Sequence, residues 1–309
     1  MYDIATLTDQ QALEFSVPEL THFEREVYEA TVLEDIRFRQ LIDVDGSADD
    51  WARTVEFRSI ARAGNAEWYN AQANEVPVVS MEMDRHSQPI HMAAIGYNYD
   101  IETTHNGQRL GINIMNEGVS GAVEEAERFM QKVCYEGDAA KGFKGLLTHD
   151  AVTTSTAAQT FAASTPQQLV DLIQAPISAI VATTKETELP NTVLVPTVQF
   201  DKLAETRYNE YNNETVLDYV KRTNATTTRT GRNIEIMAIS QLEGKGAGST
   251  DRMVVYCKDP RKAKMHIPME HRFVVPMRTG PLTYHRPGIF RVGGFDLRRE
   301  ASMRYVDGV

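Results

Sequence analysis

His149-Asp150 is the pairing in this 309-residue chain that comes nearest to working chemistry, an imidazole base with a carboxylate beside it to orient the ring. A hydrolase built on it needs a placed nucleophile, and no G-x-S-x-G elbow or comparable motif accompanies it. The pair follows Gly145-Leu146-Leu147-Thr148, so the simpler reading is a turn held by polar side chains. Gly244-Lys245-Gly246-Ala247-Gly248-Ser249-Thr250 invites comparison with a phosphate cradle. A P-loop places its lysine after the glycines, and a dinucleotide loop needs a third glycine where Ser249 stands. This stretch therefore reads as a flexible hairpin tip. His86/His91 and His266/His271 are each five apart, which puts partners on opposite faces of a strand and away from a shared metal. No H-E-x-x-H or clustered Cys/His pattern occurs. Cys134 and Cys257 are isolated and read as small buried hydrophobes in a reducing compartment. Asn213-Glu214-Thr215 and Asn224-Ala225-Thr226 match a glycosylation pattern that matters only for a secreted chain. No catalytic, cofactor-binding or metal-ligating residue is assigned, and no cofactor is expected.

The elements that would carry these residues are easier to read than any chemistry. Ile112, Met115, Val119, Ala122/Val123, Ala126, Phe129/Met130 and Val133 recur at steps of three and four, which predicts one long amphipathic helix over 112–136. Glu124 precedes Arg128 by four on its charged side. Gly118 and Gly121 predict a kink or a late helix start. A glycine-rich exit follows, Gly137 to Leu147. From Trp51 the period is two: Val55, Phe57, Ser59 and Ala61 share one face, and alternation resumes at Val79, Met81 and Met83 and again at Ile95, Tyr97 and Tyr99. Residues 51–99 are expected to form one two-stranded arm with a loose tip around Trp68-Tyr69. An isolated hairpin is marginal in water, so this arm must lean on its own domain or on a neighbouring subunit. Residues 1–50 read as a mostly helical arm, closing in a turn-rich linker at 43–50. Thr165-Pro166-Gln167-Gln168 opens a capped helix, Val193-Leu194-Val195-Pro196 is a short buried strand, and 213–220 is a second capped helix. Strands at 233–242 and 252–257 are expected to pair across the glycine loop. The block 165–264 alternates helices with strands and reads as its own domain.

Composition narrows the class. Apolar and charged contents of 42% and 24% are those of a folded, water-facing protein, and no run of 18 apolar residues exists to span a membrane. The acidic start Met1-Tyr2-Asp3-Ile4 is unlike a secretory signal, so an intracellular chain is expected. Charge is unevenly placed: residues 1–50 hold 13 acids and 3 bases, whereas 259–309 hold 10 bases and 5 acids. Such opposite surfaces suit head-to-tail contact between copies. The overall charge of −11 argues against sequence-specific DNA binding, though not against enclosing nucleic acid.

The run Glu124-Glu125-Ala126-Glu127-Arg128-Phe129, then Tyr135-Glu136-Gly137, then Gly142-Phe143-Lys144-Gly145-Leu146-Leu147-Thr148-His149, resembles the spine-helix region of tailed-bacteriophage major capsid proteins and their encapsulin relatives. Thr148 stands where that family more often has asparagine. The resemblance continues at 190–196, 251–256 and 293–309, and covers roughly residues 50–309. It implies an α+β, encapsulin-like capsid fold. Residues 1–50 would be the N-terminal arm and 51–99 the extended loop over a neighbour. Residues 100–164 and 265–309 would form the peripheral domain with the spine helix, and 165–264 the axial domain, with Gly244–Thr250 at its tip. It further implies a structural coat protein, not an enzyme, whose copies form hexamers and pentamers of an icosahedral shell around double-stranded DNA. Cement, scaffolding and portal proteins are the implied partners, with assembly in the host bacterial cytoplasm. An encapsulin-type cellular compartment is the alternative reading, and a hydrolase using His149 and Asp150 a distant one. Some relatives crosslink neighbours through a lysine on the extended loop. Here the first lysine is Lys132, so no such bond is available to residues 51–99. No long charged helical prosegment precedes Trp51, so any scaffolding is expected from another chain or a short arm.

Overall fold

The computed structural model describes residues 35–66, 68, 78–110, 114–209 and 212–309. The expected helical arm over 1–34, and Tyr69 with most of the ribbon tip, lie outside the described residues. The centre of the fold is a five-stranded sheet in the order Glu235–Ala238, Thr192–Val195, Arg252–Tyr256, Met303–Asp307, Thr153–Thr156. Arg252–Tyr256 runs antiparallel to both of its neighbours, while the two outer pairings are parallel. Because side chains alternate across a strand, this sheet has two apolar faces. Leu194, Val254, Tyr256, Met303 and Tyr305 join a core with the long helix, and Val193, Val195, Met253, Val255 and Val306 join a second core with helix Pro166–Thr183. The sheet is the wall between two cores. The expected block 165–264 thus shares its sheet with strands from 153–156 and 303–307. Nor do 235–238 and 252–256 form a hairpin, since Thr192–Val195 lies between them.

The long helix spans Ile114–Glu136, about 34 Å at 1.5 Å per residue, and follows a shorter helix, Ile101–Leu110, that sequence periodicity missed. It buries Ala122, Ala126, Met130, Val133 and Cys134, while Val123 and Phe129 flank that stripe and remain 39% and 45% exposed. The helix runs through both glycines. Gly118 serves a close approach instead of a kink: a Cβ there would lie 2.7 Å from the Tyr97 ring. At its C-terminus the glycine-rich exit turns back, and the amides of Leu146 and Leu147 donate to the carbonyls of Cys134 and Tyr135 at 2.8 and 2.9 Å. Two of the helix's unpaired last carbonyls are satisfied in this way. Gly137 makes the turn at φ +75°, where a Cβ would meet the Phe143 carbonyl oxygen at 2.5 Å.

Helix Pro166–Thr183 starts as expected: the Gln168 side-chain oxygen accepts from the Thr165 amide at 2.8 Å. Residues 35–50 differ from expectation. Instead of ending in a linker, they fold into the body, burying Phe38, Leu41 and Ile42, and Asp43–Asp45 pairs in parallel with Ala263–His266. The buried Tyr256 hydroxyl donates to the Leu41 carbonyl at 2.7 Å, which ties this segment to the central sheet.

Candidate assembly surfaces

Thr54–Ala63 and Ser80–Pro89 pair antiparallel through ten residues, from Thr54 opposite Pro89 to Ala63 opposite Ser80. At about 3.4 Å per residue the ribbon is some 30 Å long. Its base is anchored: Phe57 stacks on His86 with centroids 4.9 Å apart, Arg298 covers the Phe57 ring at 4.4 Å, and Gln88 donates to the Gly293 carbonyl at 2.8 Å. Beyond the base nothing among the described residues covers it. Ile60, Met81 and Met83 lie on one face and are 48%, 66% and 64% exposed, and Trp68 at the tip is fully exposed. The expected arm to residue 99 is too long. His91–Ala94 and Tyr97–Asp100 pair with Gly288–Val292 and Thr283–Arg286, so they belong to the body. A period-two pattern marks strands but does not say which partner each one takes.

The residues singled out for chemistry have structural partners. His149 is nearly buried. Its Nδ1 accepts from the Ala151 amide at 3.3 Å, and the Asp150 carboxylate is 3.8 Å away. Asp150 is itself 71% exposed and takes a 2.5 Å ion pair from Lys144. Burial and then the nearby Lys144 charge push the imidazole pKa down, so the ring is neutral near pH 7. Among the described residues no hydroxyl or thiol hydrogen-bonds its ring nitrogens, so no nucleophile is placed for it. The His149 amide donates to the Tyr305 hydroxyl at 3.0 Å, and that hydroxyl donates to the Leu146 carbonyl at 2.6 Å. This is a clamp between the helix exit and the C-terminal strand.

The histidine pairs make separate contacts. His266 is buried against Asp296 at 3.1 Å, with Asp45 at 3.7 Å, while His271 meets the Ile95 carbonyl at 3.1 Å. His91 packs edge-on to Phe143. Both cysteines are buried free thiols, and burial pushes both of their pKa values up. Among the described residues no group of three or more His, Cys, Asp or Glu could hold a metal ion.

The loop Gly244–Thr250 is packed down, contrary to its reading as a free tip. Lys245 pairs with Glu136 at the end of the long helix at 2.5 Å, and the Ala247 amide donates to Asp307 at 2.9 Å. Asp307 in turn takes a two-pronged ion pair from Arg252 at 2.7 and 2.9 Å, and Arg252 also donates to the Leu147 carbonyl at 2.8 Å. Burial, the largest single influence, would raise the Asp307 pKa, but the Arg252 hydrogen bonds, the Ala247 amide and the Arg252 charge together outweigh it and hold the carboxyl below its ordinary value. A second buried carboxylate, Glu188, sits between Lys262 and Arg299 at 2.5 and 2.9 Å. Local sequence carries no signal for either cluster, because the partners are 55 or more residues apart, as with Arg252 and Asp307, and meet only through the fold.

A body with two cores and a ribbon that reaches beyond it suits a subunit made to join others, and comparison with known proteins agrees. The profile of the major capsid protein family matches residues 64–309. This chain belongs to that family. As a capsid protein it has a structural role in the virion shell, which is built from copies of the subunit. The fold is that of solved phage capsids. The capsid of Myoviridae phage XM1 superposes with a TM-score of 0.80 at 17% identity, covering 94% of this chain and 98% of that one. The capsid of a native GTA particle gives 0.64 at 12% identity over 96% and 98%, and Mycobacterium phage Adephagia gives 0.62 at 10% over 97% and 98%. No curated protein sequence matches the chain.

Proposed function

We propose that copies of this capsid protein form the hexamers and pentamers of an icosahedral shell that encloses the double-stranded DNA of a tailed phage, assembled in the host bacterial cytoplasm. The observation that carries this reading is the ribbon, whose exposed Ile60, Met81 and Met83 have no cover within the subunit. Laid over a neighbouring subunit, those side chains would leave water, and the marginal two-stranded ribbon would gain a surface to pack against. Residues 165–264, with the strands 153–156 and 303–307 that complete their sheet, would meet around each capsomer's centre as the axial domain, the rest of 100–164 and 265–309 would form the peripheral domain, and the N-terminal arm would add a second contact. Cement, scaffolding and portal proteins are the expected further partners. No catalytic, cofactor or metal site is assigned.

The shell would be held non-covalently, because residues 51–99 contain no lysine for a crosslink to a neighbour. Negative-stain microscopy of the expressed protein should show closed shells or capsomers, and purified virions should protect double-stranded DNA from nuclease. Particles boiled in SDS should run as a single 34.7 kDa band. A covalent ladder would refute non-covalent closure. A chain that stays a lone compact subunit under every assembly condition would refute the shell.

A further inference from the structure

Thr153–Thr156 is an edge strand: it pairs with Met303–Asp307 on one side and, among the described residues, with nothing on the other. Beside that free edge lies a groove of about 500 Å³ between the sheet and helix Pro166–Thr183. Its wall is apolar and small, formed by Leu172, Ala175, Pro176, Ala179 and Val306, so it leaves room for side chains from outside. Arg304 also lines it. Its Nε is shut off from water with no partner, and among the described residues its side chain makes no ion pair or hydrogen bond. The side chain is only half-buried, so its charge stands unpaired at the groove wall, where a carboxylate would supply both a partner for the charge and hydrogen-bond acceptors. The groove's own carboxylate, Asp171, does not do so; it is exposed and takes a 3.3 Å hydrogen bond from Gln167.

We infer that this groove receives an extended acidic stretch of a second copy, added as a strand along Thr153–Thr156 with a carboxylate on Arg304. Open strand edges are templates for such addition, with main-chain hydrogen bonds giving affinity and the groove giving selectivity. By composition the donor is the start of the chain, since residues 1–34 hold 8 acids and 1 base. The Asp35 carbonyl is held by Gln131 of the long helix, on the opposite side of the five-stranded sheet from the groove. A copy's own first residues start from the far face of that sheet, which favours a neighbour's as the donor. The inference rests on the proposed assembly of copies and adds the surface on which one contact is made.

The test places a photo-crosslinking amino acid at Ala179 in the full chain and assembles it from mixed isotopically light and heavy copies. Crosslinks joining position 179 of one copy to residues 1–34 of another are expected. Arg304→Glu should melt like the parent protein, lose those crosslinks and lower particle yield at least tenfold, while Arg304→Lys keeps both. Particles whose crosslinks run to residues 54–89, stay within one copy or do not form would overturn the inference alone, as would an Arg304→Glu protein with unchanged crosslinks. A parent protein that makes no particles at all would overturn the assembly reading, and this inference with it.

Discussion

The central sheet and the ribbon are both β structure, and they stand at opposite ends of self-sufficiency. In the sheet, Leu194, Val254 and Val255 are fully buried, and each face has a helix-backed core against it. In the ribbon the ladder is longer, ten pairs, yet Met81 and Met83 are mostly exposed and only the first few residues touch the body. Backbone hydrogen bonds are therefore not what separates them, since such bonds contribute only modestly net of those made with water. Apolar burial separates them. The sheet completes its burial inside one chain, and the ribbon leaves its own for another chain to complete. One element defines the subunit and the other presents it.

That contrast can be broken in order of expected effect. Asp307→Ala should cost the unassembled subunit about 3–5 kcal/mol in chemical denaturation, because Arg252 is left buried without its carboxylate. A loss below about 1 kcal/mol would mean that the pair behaves as a solvated contact, not as part of the sheet's frame. The same chemistry sets an acid limit. Asp307 and Asp296 both have folded pKa values below the unfolded 3.8: burial raises each, but Arg252 and the Ala247 amide together outweigh it in the first, and His266 and Arg298 together in the second. Their stabilisation is complete above that value and is lost as pH falls below it, so denaturation midpoints should hold near neutrality and drop below about pH 4. A midpoint unchanged down to pH 2 would contradict the assignment.

Leu194→Ala should cost about 2–5 kcal/mol, the range for a cavity in a packed core. Tyr305→Phe removes the hydroxyl that links His149 and Leu146 and should cost about 1–3 kcal/mol. Met83→Asp sharpens the comparison from the other side. It should change subunit stability by no more than about 0.5 kcal/mol, as for an exposed position, while particle yield collapses. If Met83→Asp unfolded the subunit, the ribbon would be packed on its own body, and the distinction between the two β structures would fail.

Local pattern made part of this architecture legible. The long helix was readable from Ala122, Ala126, Met130 and Val133, because a 3.6-residue period needs no knowledge of the partner. The start of the next helix was readable from Thr165-Pro166-Gln168, because a cap is closed within four residues. The ribbon strands were readable from alternation at Val55–Ala61 and Val79–Met83, since side chains that alternate across a strand need only neighbours in sequence to show it. Helix Ile101–Leu110 was missed, since it is short and polar, with Ile101 and Leu110 at its ends as its only large apolar residues.

What depended on distance along the chain stayed hidden. Alternation at Ile95, Tyr97 and Tyr99 announced a strand, but its partner is Thr283–Arg286, nearly two hundred residues away, and not the ribbon. The glycine loop at 244–250 looked free because its holders, Glu136 and Asp307, lie far off in sequence. Sequence by itself thus determined the long helix, the capped start of the next one and the alternating strands of the ribbon. Only the tertiary structure decided the strand order, the sheet standing as a wall between two cores, and the groove beside Thr153–Thr156. The physical reason is that periodicity and capping are local free energies, whereas strand pairing and ion-pair burial arise only once distant segments have met.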